Sequence, residues 1–527
     1  MGIPIFLVLM YLVFQLTFTV GSFPMEWLEI FFSWLSGAIR GWWPEGTNAI
    51  LLSLLVDGII GGVGGVLVFL PVIFLLFMAI AILEDSGYMA RAAFIMDNLM
   101  HKIGLHGKSF IPMLIGFGCS VPGIMATRTI ESKKDRFTTI LVLPLMSCGA
   151  RLPIYALLIP AFFPPAWHGP MLWIIYLIGI LVAIVSAKLL KKSILKGEAA
   201  PFIMELPPYR IPTLKGVLIH TWERGREYLK KAGTIILCIS VILWFLTSYP
   251  KKREYSRDYG AMIHKAQEEY EGKINALKRE LGLPENAVLD PENKREHSNE
   301  AFLLGEAERV LESFREMLHA YRAVEREFDV KISKEGYTED DPEYSILTTA
   351  RRARLDTLQS SDPLIFSMVQ RYLSEILRPY DESVKRIEGE RLAESISYTI
   401  AGRIGHAIEP FLKPMGFDWR IGTALIGALA AKEVFVAQLG IVFSVGEEGH
   451  ESDALRHKLR KEYNPLTAFC IMIFCLISTP CIATVAVTKK ESNSWKWALF
   501  QLGGLTALAY MITVTIFGLG TLFRVGV

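Results

Sequence analysis

Charge is scarce in most of this sequence. Of 527 residues, 20% are Asp, Glu, Lys or Arg, and about half of those lie between positions 251 and 399. The rest is too poor in charge for a soluble globular domain, where about a quarter of residues are charged. Cysteine is sparse too. The six are Cys119, Cys148, Cys238, Cys470, Cys475 and Cys481, all in apolar stretches and with no CxxC pair, which excludes a disulfide framework. A net charge of +2 leaves no basic excess, so no nucleic-acid partner is expected. Enzyme motifs are missing as well: there is no HExxH, no Ser-His-Asp spacing and no paired-carboxylate site. The loop 104–109, Gly-Leu-His-Gly-Lys-Ser, imitates a phosphate loop, but the glycine required five places before Gly107 is Lys102 and no strand is predicted before it. Neither catalysis nor a nucleotide site is expected of this chain.

Long apolar runs are abundant. A membrane crossing needs about 20 apolar residues. Such runs lie at 3–20, 62–83, 137–163, 171–190, 233–249, 421–443, 466–487 and 497–517. Residues 25–43 alternate aromatic and polar positions, with Trp27, Trp34, Trp42 and Trp43 as interfacial residues, and predict a separate amphipathic helix. The fold class expected is therefore an all-α polytopic membrane protein with about eight transmembrane helices, broken or re-entrant segments, two pseudo-repeated gate regions and a helical soluble insert. Three regions follow: a membrane half at 1–250, the charged insert at 251–397 and a second membrane half at 398–527. Basic residues at 131–136 and at both ends of 191–231 mark cytoplasmic loops, so the crossing at 233–249 delivers the insert to the extracytoplasmic side. Within the insert, Asp290-Pro291, Asp341-Pro342 and Asp362-Pro363 read as helix N-caps followed by proline at the first helical position.

Four motifs interrupt the apolar runs. Gly116-Phe-Gly-Cys-Ser-Val-Pro-Gly123 cannot be a regular helix, and irregular backbone is tolerated in lipid only where it is buried in protein or lines a cavity. Cys119 sits in that break, beside freed carbonyls. A thiolate there suits a borderline-soft divalent ion, and a buried cysteine at a kink is the structural alternative. Leu143 to Pro153 breaks a second run and supplies Met146, Ser147, Cys148 and the intramembrane cation Arg151, which either marks a cavity or caps carbonyls. Ser478-Thr-Pro-Cys-Ile-Ala-Thr484 repeats the grammar of the first motif around Cys481, as expected of two halves that share a transport site. Gly427 to Val434 places Lys432 and Glu433 in an apolar run. Each needs a partner in the bundle; Glu433 is suited to a cation or to Arg151, and Lys432 to repelling a cation. Asp57, Glu84, Asp85 and Arg91 are read as interfacial.

Taken together, these motifs resemble one family. Glu84-Asp-Ser-Gly-Tyr-Met-Ala-Arg91, Gly104-Leu-His-Gly-Lys-Ser-Phe-Ile-Pro-Met113, Gly116-Phe-Gly-Cys-Ser-Val-Pro122, Ala126-Thr-Arg-Thr-Ile-Glu131, Met146-Ser-Cys-Gly-Ala-Arg-Leu-Pro153, Lys231-Ala-Gly-Thr-Ile-Ile236, Ala431-Lys-Glu-Val434 and Pro480-Cys-Ile482 resemble the membrane region of FeoB-type ferrous iron transporters. The resemblance implies a multi-pass importer of Fe2+ in the bacterial or archaeal inner membrane, with Cys119, Cys148 and Cys481 lining the ion path. It also implies a cytosolic GTPase domain. None of that domain's motifs occurs here, so GTPase activity is expected from a removed segment or a separate chain. The insert is longer than the family leads one to expect. The function expected is gated Fe2+ transport, with Met146 and Ser147 as supplementary ligands, the lipid bilayer as surroundings and homo-oligomerisation allowed. The alternatives are a transporter of an organic solute such as a nucleoside, and a non-transporting scaffold or sensor acting through the insert.

Overall fold

The computed structural model describes all residues except 1, 45–48, 62–63, 65–66, 69, 196–207, 229–233, 253, 291–305, 336–341, 430–431, 433, 444–452, 479–480 and 525–527. Among the described residues the regular elements are helices and no strand occurs. Two compact units result: residues 1–253 with 392–527, and residues 254–391.

The larger unit begins with α1, Gly2–Trp42, which runs unbroken through Pro24. The sequence predicted a span and then a separate interfacial helix. No break intervenes, because an interruption in lipid would leave backbone groups unpaired, whereas a helix tolerates one proline. Next come α2, Leu70–Asp85, and α3, Tyr88–Ile103, bent by 83° about Gly87 at φ 77°.

Two short helices follow, α4 at Phe110–Gly118 and α5 at Ser120–Ala126, joined by the single extended residue Cys119. They fold back on each other: a Cβ added to Gly123 of α5 would lie 2.9 Å from the Pro112 carbonyl oxygen of α4. Then α6, Lys133–Val142, and α7, Leu152–Phe162, flank an irregular stretch, and α8 is His168–Ser193. The amphipathic α9 is Leu214–Tyr228.

In the C-terminal part, α10, Trp419–Ala428, and α11, Val434–Val442, are separated by a break. Another break separates α12, Pro465–Ile477, from α13, Ile482–Ser492, and α14 is Trp495–Leu522. Four described stretches are long and apolar enough to cross a membrane: Lys133–Phe162, Pro165–Ser193, Pro465–Ser492 and Trp495–Leu522. The bent pair α2–α3 makes five. The count is below the expected eight partly because the run 421–443 is divided into two short helices and the run 233–249 yields only the 15-residue helix Thr234–Ser248.

The core of this unit draws on both membrane halves. Tyr155, Leu158 and Ile175 pack with Ala424, Phe435, Cys475 and Leu505. A second cluster joins Val121 and Ile124 of α5 to Ala483 and Val487 of α13. The two segments with matching grammar are therefore direct neighbours.

The smaller unit is helical, with Tyr259–Glu280, Glu306–Glu335, Pro342–Ser361 and Pro363–Arg371 around Ile274, Phe314, Val369 and Tyr372. Asp362 caps its helix as predicted, accepting from Ile365 N at 3.0 Å. Asp290 precedes residues 291–305, which lie outside the described residues, as does the helix start predicted there. The Asp290 carboxylate is buried and receives Arg322 Nη1 at 2.9 Å and the Tyr372 hydroxyl at 3.3 Å, so it organises the core of the insert. The predicted cap at Asp341 lies outside the described residues.

Candidate functional site

The larger unit departs from regular helix at four places: Cys119, residues 143–151, the described residues Leu429 and Lys432, and the described residues Ser478 and Cys481. Each follows from local sequence. Pro144 and Gly149 stop α6 and impose two short 3-10 turns, Leu143–Leu145 and Gly149–Arg151, with Met146 and Cys148 extended between them. Ser478 is extended at φ −61°, ψ 168° and ends α12, while Cys481 at φ −56°, ψ 153° precedes α13.

The breaks touch one another. Ile482 N, at the start of α13, donates to the Leu429 carbonyl at 3.0 Å. Lys432 Nζ donates to Ser478 Oγ at 3.3 Å. The α4–α5 hairpin rests on the 143–151 break: a Cβ at Gly116 would meet Met146 Cβ at 3.3 Å, and one at Gly123 would meet Leu143 Cδ2 at 3.0 Å. Gly179 of α8 lets that helix approach the same break, since a Cβ there would lie 2.9 Å from the Leu145 carbonyl oxygen.

Cys119 and Cys481 are half-buried and pack against the same cluster, which contains Ile73, Val121 and Ala483. Cys481 Sγ lies 3.2 Å from Thr484 Oγ1. Cys148 is also half-buried, in the 143–151 break. Met146 and Ser147 are buried, and Ser147 Oγ lies 3.4 Å from the Tyr155 hydroxyl. Among the described residues no three His, Cys, Asp or Glu side chains form a closed metal site. The three thiols therefore do not meet at one point.

Arg151 is 2% exposed and resolves as a carbonyl cap. Its Nη1 donates to Met146 O at 3.0 Å and its Nη2 to Pro144 O at 2.9 Å. The break frees those carbonyls and the arginine satisfies them, which is how irregular backbone survives in lipid. Lys432 is 4% exposed and lies within electrostatic range of Cys148, Cys475, Cys481 and Arg151. Glu433, expected to bind a cation or Arg151, lies outside the described residues.

Sequence reasoning passed over Cys475. It is fully buried on α12 and lies within electrostatic range of both Lys432 and Arg151. The available signal was its spacing, three residues before Ser478, which puts both on one helix face. Gln501 of α14 was also missed. It accepts from Thr488 Oγ1 at 2.8 Å and donates to the Ile140 carbonyl at 2.7 Å, joining α13 to α6.

At the other end of the hairpin the two halves are clamped by charge. Glu491, at the end of α13, accepts from Arg128 Nε at 2.9 Å and Arg128 Nη2 at 2.5 Å, and from Arg136 Nη2 at 2.9 Å. The phosphate-loop imitation is a structural joint here. Gly104 at φ 88° ends α3, Gly107 N donates to Asp97 Oδ1 at 3.0 Å, and Lys108 pairs with Glu131 at 2.7 Å. That hydrogen bond and the lysine charge hold the Glu131 carboxyl below its ordinary pKa. Behind the hairpin lies a cavity of about 510 Å³, lined by Ile80, Met89, Ile115 and Met125 with Glu84 and Glu223 among its polar groups.

Comparison with known proteins is consistent with this geometry. The family model described as "Nucleoside recognition", named Gate, matches residues 66–162 and 364–495, and so takes in all four breaks. The model for "Ferrous iron transport protein B C terminus" matches residues 172–224. The chain belongs to the FeoB family. A FeoB from Helicobacter pylori named as an Fe(2+) transporter is 34% identical over 516 residues, covering 98% of this chain and 64% of the relative. One from Methanocaldococcus jannaschii is 34% identical over 513 residues, covering 97% and 56%. A Porphyromonas gingivalis protein, named as a fusion of Fe(2+) transport protein A and FeoB, is 37% identical over 534 residues, covering 99% and 50%. The chain thus spans half to somewhat under two thirds of the FeoB relatives it matches. No solved structure matches it.

Proposed function

We propose that this chain forms the membrane pathway of an Fe2+ importer, gated at the four helix breaks. The observation that carries the reading is the meeting of the breaks: Ile482 N on Leu429 O, Lys432 on Ser478, and the Cys119 hairpin on the 143–151 stretch. Transporters place ion sites where spans unwind, because freed carbonyls and half-helix ends supply ligands there. Cys119, Cys148 and Cys481 each sit at such a point, and thiolate favours a borderline-soft ion over Mg2+ or Ca2+. Because the thiols do not share one closed site, Fe2+ passes between them in steps, helped by the Met146 thioether, Ser147 Oγ and neighbouring carbonyls. Successive weak sites also suit release, since an ion held by all three at once would leave slowly.

In this reading the segments around Cys119 and Cys481 are pseudo-repeats, paired through α5 and α13. The Glu491 clamp faces the cytoplasm with the basic loops, the insert faces the other side, and the chain lies in the inner membrane of its cell. Energy input is assigned to a GTPase domain or partner chain on the cytoplasmic side. The relatives named as Fe(2+) transporters favour iron over a nucleoside. The test is Fe2+ flux into proteoliposomes, with the double variant Cys119→Ser, Cys148→Ser beside the unmodified chain. Flux by the unmodified chain that the double variant loses supports the thiol path. Undiminished flux in the variant removes it, and nucleoside flux without iron flux removes the iron reading.

A further inference from the structure

We propose that the Lys432 ammonium is a tethered stand-in for the transported cation, and that the cost of displacing it decides which ions pass. This rests on the transport reading above and adds a selectivity element to it, together with a fourth thiol, Cys475.

The geometry sets Lys432 apart from the other buried cation. Arg151 donates through both Nη atoms to backbone carbonyls of its own break, at 2.9 and 3.0 Å, and is fixed there. Lys432 is buried nearly as deeply, and among the described residues it is held by less. Among the described residues its one hydrogen-bond acceptor is Ser478 Oγ, at the long distance of 3.3 Å. An ammonium has three donors, so two of the three find no acceptor among those residues. The groups within its electrostatic range are Cys148, Cys475, Cys481 and Arg151. Three thiols from three segments thus lie within electrostatic range of one buried ammonium, although among the described residues no three side chains of ligand type close on a common point. That is the arrangement expected when a resident charge occupies the polar space an ion would use.

Selectivity follows from donor chemistry. A hard ion gains little from sulfur and cannot offset the loss of its own water, so it does not evict the ammonium. A borderline-soft ion gains thiolate bonds and does, each thiol passing its proton to the water that enters with the ion. Ser478 Oγ and Cys475 are released to the ion as Lys432 withdraws. Lys432 is three residues along the chain from Leu429, the carbonyl of which anchors Ile482, so its withdrawal bears on the bond that ties the two segments together.

The experiment uses the full chain in proteoliposomes under reducing conditions, with Fe2+ and Mn2+ flux measured in parallel. In Lys432→Met the Fe2+:Mn2+ flux ratio falls about tenfold, a change of one decade in relative ion preference. Lys432→Arg, which keeps the charge, stays close to the unmodified ratio. If Lys432→Met is lost during purification, Lys432→Gln reads the same ratio. Independently of the Lys432 variants, Cd2+ added to the unmodified chain gives an ultraviolet sulfur-to-cadmium charge-transfer band that Cys475→Ser lowers. An unchanged ratio in the uncharged variants overturns the proposal. A band unchanged in Cys475→Ser removes Cys475 from it. No Fe2+ flux by the unmodified chain overturns the transport reading itself, and this proposal with it.

Discussion

Ile482 donates its backbone N–H to the carbonyl oxygen of Leu429 across 3.0 Å, a bond between two helix breaks 53 residues apart in the chain. It ties the segment carrying Lys432 to the segment carrying Cys481. Ile482 is the first residue of α13, where proline fits the helix, and Cys481 at φ −56°, ψ 153° already has the conformation that precedes proline.

Ile482→Pro therefore deletes this bond while leaving α13 in place. The Leu429 carbonyl loses its partner, at a cost of about 1–3 kcal/mol. Fe2+ flux is expected to fall more than stability does, as read by proteoliposome flux beside thermal unfolding in detergent. Unchanged flux would mean the tie is dispensable.

Gly123→Ala and Gly179→Ala test the close approach of neighbouring elements to the 143–151 break. The new Cβ would lie 2.9 Å from Pro112 O in the first case and 2.9 Å from Leu145 O in the second. Backbone atoms cannot step aside as a side chain can, so each substitution is expected to cost about 1–3 kcal/mol. Gly169→Ala, with nothing within 4 Å, is the control and should shift the unfolding midpoint little.

Glu491→Gln tests the charge clamp. Its side chain is 4% exposed and receives two guanidinium groups. Removing one partner of a buried pair costs about 3 kcal/mol and leaves the arginines facing each other. Arg128 is 46% exposed, so Arg128→Lys, which keeps charge but loses the paired donors, should cost about 1 kcal/mol. Thermal unfolding separates the two.

The Lys108–Glu131 pair gives a pH signature. Glu131 has its pKa lowered when folded, so its stabilising contribution is complete above its ordinary pKa. The contribution is lost as pH falls through the lowered one. Carboxyl carbon shifts of Glu131 followed by NMR should titrate below the ordinary glutamate range in the native chain and return to it in Lys108→Met.

Much of this was legible from residues alone. Cys119, Cys148 and Cys481 stood out because glycine and proline beside them forbid a regular helix, and a chain in lipid does not break without reason. Arg151 was legible as either a cavity charge or a carbonyl cap; the capping reading holds because both acceptors come from its own motif. What the sequence did not show was pairing at long range. Glu491 reads locally as one of several charges after an apolar helix, yet its partners lie about 360 residues away, at Arg128 and Arg136. Cys475 was hidden by an uninterrupted apolar neighbourhood. The unbroken α1 was misread because aromatic–polar alternation suggested a boundary that helix continuity overrides. The partners of Asp290 were hidden in the same way as those of Glu491, since Arg322 and Tyr372 are remote from it in sequence.

At 41 residues and 1.5 Å per residue, α1 is a rod about 60 Å long, roughly twice the thickness of a bilayer's oily interior. Its early residues Leu9 and Val13 are anchored against Leu83 and Met89. The distal end, carrying the exposed Trp27, Trp34 and Trp42, is tied by Arg40 to Asp57 at 2.8 Å, so the rod as a whole must lean steeply or emerge beyond the headgroups. Either posture makes this rod a gauge of membrane thickness, so reconstitution into thinner or thicker lipid should change its inclination and the solvent contact of those indoles.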